Sequence, residues 1–303
     1  MCCSRCDQGS SWYARLGLLC EEIFLSSTQI AILSDIHLAP DGTPDSQWNN
    51  IVRLSESRQL LDAALADIVA SGHTNVLLLG DLSHHGDGDS LSTALQIVSD
   101  ALPAAWVVPG NHDVASSEEA FTHAVHAASG VLALQNSHQM PAPDIVICGH
   151  GLRSTDGGQT CTATALPDAR PGARLLVWAG HYPLFSQESQ LTGQGMRYPG
   201  DLLNLPEAWA SLEHFIGPAL VLHGHLHTAV VEAQGPVLQI GVPAVVEWPY
   251  AWTVARIDVA DDNVTVQTMM TPINGNQPRG SINTVLDELH QHWVFARDCW
   301  TRV

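Results

Sequence analysis

Five short apolar runs, each broken by a glycine or a small polar residue and then by carboxylate, amide or imidazole side chains, constrain this chain most. They are Ile30-Ala31-Ile32-Leu33 before Asp35-Ile36-His37, and Val76-Leu77-Leu78-Leu79 before Gly80-Asp81. Next come Trp106-Val107-Val108 before Gly110-Asn111-His112-Asp113, and Leu175-Leu176-Val177-Trp178 before Gly180-His181. The last is Leu220-Val221-Leu222 before Gly224-His225-Leu226-His227. Runs of this length, apolar on both faces, read as buried strands. Polar residues at the carboxyl ends of several such strands share one rim of an α/β sheet, where open sheets build their sites. A lone D-x-H turns up about once in a chain this long. The constraint lies in all five motifs occurring in order.

The donor types point to a cation site. Mixed carboxylate and imidazole ligands suit Mn²⁺, iron or Zn²⁺, and no thiolate lies in any motif to select a softer ion. A carboxylate such as Asp81 has two oxygens and can bridge two ions. Asp35/His37 and His225/His227 are i, i+2 pairs, which point the same way in an extended segment. A bridged ion pair lowers the pKa of a shared water and supplies hydroxide near neutral pH, the requirement for in-line attack on phosphorus. Alone, Asp35, Asp81 and Asn111 also fit as turn residues after strands.

From about Gln29 to Asp258 the motif order D-x-H, G-D, G-N-H-[DE], lone His, G-H-x-H resembles that of the calcineurin-like metallophosphoesterases. Motif spacing is most like the class III cyclic nucleotide phosphodiesterases. The resemblance implies one ion held by Asp35, His37 and His227, a second by Asn111, His181 and His225, and Asp81 between them. It implies His112 as the acid that protonates the leaving group in a phosphodiesterase reaction. It also implies a four-layer αββα sandwich of two mixed β-sheets flanked by helices. The chain departs from the family after Gly80-Asp81: where Leu-Ala-Asp is usual it has Leu82-Ser83-His84-His85. His84 and His85 are therefore either a solvated loop or substrate contacts. His150 also follows a strand and a glycine, but His181 precedes Tyr182-Pro183 as in the family's H-x-P. His223 is assigned a supporting place, and His73, His123, His126, His138, His214, His290 and His292 carry no motif.

Charge narrows the substrate. The formal net charge is −19 and all 12 basic residues are arginine, which excludes a lysine-dependent mechanism. The arginines are scattered, so polymeric nucleic acid is disfavoured and a small-molecule phosphodiester is the expected partner. A nuclease, a phospholipid-precursor phosphoesterase or a non-catalytic scaffold of the same fold are the alternatives. No membrane span is expected. Seven cysteines, an odd count, and no export signal suggest a cytoplasmic setting.

The expected layout is a cysteine-containing extension over residues 1–28 (Cys2, Cys3, Cys6, Cys20), a main domain over 29–273 and a helical tail over 274–303. Helices are expected over Leu54–Ala70, Leu91–Leu102, Ser116–Ala128 and Ala208–Phe215. Thr228–Ala233, Val237–Val242, Ala251–Val259 and Val264–Met269 read as consecutive antiparallel strands, and 149–173 as a long irregular connection. The tail's spacing of Ile282, Val285, Leu286, Leu289 and Trp293 suggests a helix packed on its own domain or used for a homodimer. Cys148 and Cys161 are expected to pack as small apolar groups.

Overall fold

Apolar runs without alternation demand burial on both faces, and the fold supplies it. A computed structural model describes residues 26–135, 137–164, 172–213, 215, 217–273, 279–287 and 290–303. The first sheet has eight strands, in the order Cys299–Arg302, His290–Ala296, Val264–Pro272, Ala251–Val259, Ser26–Leu33, Val76–Leu78, Ala105–Val107, Val131–Ala133. The second has six: Val230–Gln234, Val237–Gly241, Ala219–His223, Leu175–Ala179, Ile145–Gly149, His138–Ala142. Both are mixed. Ser26–Leu33, for example, pairs parallel with Val76–Leu78 on one side and antiparallel with Ala251–Val259 on the other.

The period-two alternation of strands sorts side chains into layers. Ile30, Ile32, Leu77, Leu79, Ile145, Ile147, Val177, Leu220 and Leu222 fill the space between the sheets. Ala31, Leu33 and Leu78 face the other way, against Leu61, Leu65, Leu91, Leu95 and Phe121 of the helices Ser57–Ala70, Gly88–Ala101 and Glu118–Ala127. On the far side Val146, Trp178 and Val221 pack against Ala208 and Leu212 of the helix Leu205–Glu213. This is the expected αββα sandwich. Local chemistry starts the helices: Asp87 accepts the Ser90 amide at 2.8 Å and Ser117 accepts the Ala120 amide at 3.0 Å, each satisfying a donor that the first turn leaves open.

Three expectations change. The four late strands form two hairpins in different sheets: Val237–Gly241 also pairs in parallel with Ala219–His223, whereas Ala251–Val259 pairs with Ser26–Leu33. Turn signals reveal a hairpin but not which sheet receives it. Among its described residues the tail is not helical; His290–Ala296 and Cys299–Arg302 form a hairpin that extends the first sheet. Trp293, Val294 and Phe295 are good strand residues, and the edge of Val264–Pro272 offers them unpaired backbone groups. Ile282 and Leu286 still pack inward, on Leu191, Met196 and Leu226. Thirdly, the 149–173 connection contains a small hairpin, Leu152–Ser154 with Cys161–Ala163.

The first strand begins at Ser26, within the expected extension. Cys2, Cys3, Cys6, Cys20, His214 and Leu289 lie outside the described residues. Among those described, no helix is long and apolar enough to cross a membrane. Cys148 and Cys161 are buried, and burial pushes their thiols up to about 12 and about 11.

Candidate metal centre

Each motif sits where a parallel strand ends, and the backbone there is bent sharply. Asp35 (φ 52°), His37 (44°), Asp81 (51°), His225 (65°) and His227 (53°) are all in the left-handed region. Non-glycine residues rarely adopt it, and such strain persists only where surroundings impose it. Here the loops brace one another: the Asp35 amide donates to Gly80 O at 3.1 Å, the His37 amide to Asp81 O at 2.8 Å. The expectation that the i, i+2 pairs are extended is thus corrected. The side chains converge through left-handed turns, because the crossing loops leave no room for a continuing strand. A Cβ on Gly224 would lie 1.8 Å from Ser34 Oγ, and one on Gly110 2.1 Å from Asp81 Oδ1. Only glycine allows these approaches.

The convergence yields two donor groups with a common member. In one, His227 Nε2 lies 3.3 Å from both Asp35 Oδ1 and His37 Nε2. In the other, Asn111 Oδ1 lies 3.1 Å from both His181 Nε2 and His225 Nδ1. Asp81 stands between them, its Oδ2 3.3 Å from His181 Nε2 and 3.5 Å from His37 Nε2. Its Oδ1 is oriented by the His112 amide at 2.9 Å. All seven side chains named from the motifs therefore meet.

A sequence profile of the calcineurin-like phosphoesterases matches residues 28–229. The chain belongs to the calcineurin-like phosphoesterase family. This phosphoesterase has no match among curated proteins at a significant level. Among solved structures it resembles a dimetal phosphatase from Danio rerio, with 13% identity and a TM-score of 0.53, over 84% of this chain and 100% of that one. That likeness concerns the fold. It also aligns with a phosphopantetheinyl hydrolase from Mycobacterium tuberculosis (14% identity, TM-score 0.43, 73% of this chain and 91% of the other). A phosphoesterase from E. coli aligns at 14% identity and a TM-score of 0.35, over 82% and 100% of the two chains.

The donors of this phosphoesterase fit cations. His181 Nδ1 donates to Leu79 O at 2.8 Å, so its Nε2 lone pair faces two further acceptors, Asn111 Oδ1 and Asp81 Oδ2. His227 repeats the pattern: Nδ1 donates to Glu247 Oε2 at 2.7 Å, and Nε2 faces Asp35 and the His37 ring nitrogen. Acceptors clustered on one point require either a proton or a metal ion there. Without metal, protons fill the place. Burial alone lowers both imidazoles, yet Asp81 raises His181 to about 9 and Asp35 raises His227 to about 10. Burial would raise Asp35 and Asp81, but His227 and His181 respectively hold them well below the usual range. Burial drives His37 and His225 well below theirs.

Above the centre opens a cavity of about 220 Å³, lined by His37, Asp81, His84, Asn111, His112, His225 and His227, with Gln47, Trp48, Val52 and Pro199 opposite. His84 is half-buried and lines this cavity; burial, then His112, lowers it to about 4. His85 is exposed, its ring tilted against that of His84 with centroids 4.6 Å apart, and does not line it. His150 instead accepts the Trp178 indole N–H at 2.8 Å and takes no place in either donor group. His223 is buried with Nδ1 2.9 Å from Gly224 O, a supporting place.

Three contributors were given no role from the sequence, although Asp113 closes one of the motifs. Asp113 is buried and accepts the Gly110 and Ser83 amides at 2.9 and 3.1 Å, tying two motif loops together. Burial, then Asp81, raises it to about 7. Trp48 forms part of the cavity wall with Arg197 5.4 Å above its ring. Glu247 is the third; a lone acid inside the apolar stretch Val245-Val246-Glu247-Trp248 is the signal that could have found it.

Proposed function

We propose that this chain is a dinuclear metal-dependent phosphodiesterase acting on small phosphodiesters, with cyclic nucleotides the first substrates to try. The sharing of Asp81 Oδ2 between two donor groups carries the reading. One ion would be held by Asp35, His37 and His227, the other by Asn111, His181 and His225, with Asp81 bridging. Bound divalent ions of the Mn²⁺, iron or Zn²⁺ type supply Lewis acidity and activate water for in-line attack. The cavity, about 220 Å³, suits a small ester, and the −19 charge with scattered arginines opposes a polynucleotide.

His112 is assigned the proton. Its Nδ1 lies 2.6 Å from the His84 carbonyl, which can only accept, so Nδ1 carries hydrogen. The other nitrogen is left for the cavity, where a protonated ring can donate to the departing oxygen. Asp81 orients this residue through its amide, coupling acid and metal centre in one short segment.

The test starts from chelator-treated protein given Mn²⁺, Fe²⁺ or Zn²⁺ and assayed on cyclic nucleotides and on bis(p-nitrophenyl) phosphate. Two ions per chain and restored hydrolysis are expected; absence of both ends the proposal. For His112→Ala, loss of about 10²–10⁴-fold is expected with alkyl leaving groups and much less with nitrophenolate. Equal losses would remove His112 as the acid.

A further inference from the structure

Glu247 is fully buried in the loop between Val237–Gly241 and Ala251–Val259, with its carboxylate turned to His227. A carboxylate in such surroundings is costly unless its charge is used. Its two oxygens go to different elements. Oε2 accepts the His227 Nδ1–H at 2.7 Å, and Oε1 accepts the Asn50 amide N–H. The Asn50 amide needs only a neutral acceptor, which a glutamine would provide. The imidazole is what benefits from charge, since the acceptor decides which ring nitrogen carries hydrogen.

We propose that Glu247 is a positioning residue for the metal centre: it fixes His227 as the Nδ1–H tautomer and turns Nε2 towards Asp35 and His37. Ligating histidines commonly hold their second nitrogen against a carboxylate, which raises ligand basicity and affinity. The same side chain, through Asn50, anchors the segment Ser46–Asn50 that presents Trp48 to the cavity. Asn49 continues the tie by accepting the Arg197 amide at 2.8 Å. Glu247 thus serves one ion of the pair, not both. The inference rests on the reading of His227 as a ligand.

The test compares full-length wild type with Glu247→Gln. Mn²⁺ is titrated against a competing chelator, and the imidazole tautomers of metal-free, ¹⁵N-labelled protein are read by two-bond proton–nitrogen correlation at a pH above the raised value of His227, about 10, where its ring is neutral. One of the two ions should bind about 10–100-fold more weakly in the variant while the other is unchanged. His227 should be the Nδ1–H tautomer in wild type and lose that preference in the variant. Unchanged affinity for both ions, or an Nε2–H tautomer in wild-type protein, overturns the inference. Wild type that takes up no ion sinks the dinuclear reading instead, and the tautomer measurement still decides what Glu247 does. That measurement needs only wild-type protein, so a variant that fails to fold leaves the inference testable.

Discussion

Asp35, His37, Asp81, His225 and His227 all carry a backbone that their residue types disfavour. Their identities were legible because so few chemistries use carboxylate and imidazole together at these spacings. Their conformation was not, since it is imposed by loops distant in sequence. Glu247 escaped for the same reason: its partner, His227, is contacted across twenty residues and no periodicity links them. His84 and His85 look alike in sequence, and only packing separates the cavity-lining ring from the exposed one. One prediction belongs at this scale. In metal-free protein His181 and His227 are raised from 6.5 to about 9 and about 10. A raised imidazole stabilises the fold fully below its unfolded pKa, and that contribution fades as pH climbs through the folded value. The melting temperature of chelator-treated protein should therefore fall between pH 7 and pH 10. Asp81→Asn, which removes the charge beside His181, should flatten the fall; an unaltered slope would contradict the assignment.

At the scale of elements, most strands and helices announced themselves. Val76–Leu78 and Leu175–Ala179 are bounded apolar runs, and the expected Leu54–Ala70 helix appears as a single turn over Leu54–Glu56 followed by Ser57–Ala70. The C-terminal segment did not. Apolar spacing from Ile282 to Trp293 mimicked a helix, although Trp293 to Phe295 within the same expected span are the residues that decide for a strand. Edge pairing with Val264–Pro272 is a tertiary choice that local pattern does not encode. The tight approach of two motif loops gives the test here. Gly224→Ala places a methyl within 1.8 Å of Ser34 Oγ and 2.6 Å of Asp35 Oδ2. Ser34 donates to Asp35 at 2.6 Å, so the pair has little freedom to retreat. We expect lower thermal stability and loss of at least one bound ion, measured by metal analysis of the purified variant; wild-type stoichiometry at wild-type stability would refute the packing account.

For the molecule as a whole, the layer between the sheets supplies the frame on which the motif loops are hung. Leu222 is fully buried there, on the strand that leads into His225 and His227. Leu222→Ala should destabilise by about 2–5 kcal/mol, the range for a buried leucine that leaves a cavity. Denaturant unfolding of the metal-free protein measures it, and a loss below about 1 kcal/mol would show that the layer relaxes instead. The two sheets contribute unequally but jointly to the centre. Asp35, His37, Asp81 and Asn111 follow strands of the first, and His181, His225 and His227 follow strands of the second. Neither sheet alone presents either donor group in full. Under the proposed dinuclear reading, His227 is the last of the seven donors to leave the ribosome, so cation capture would be a late event in maturation, a rivet set only once both plates have been made.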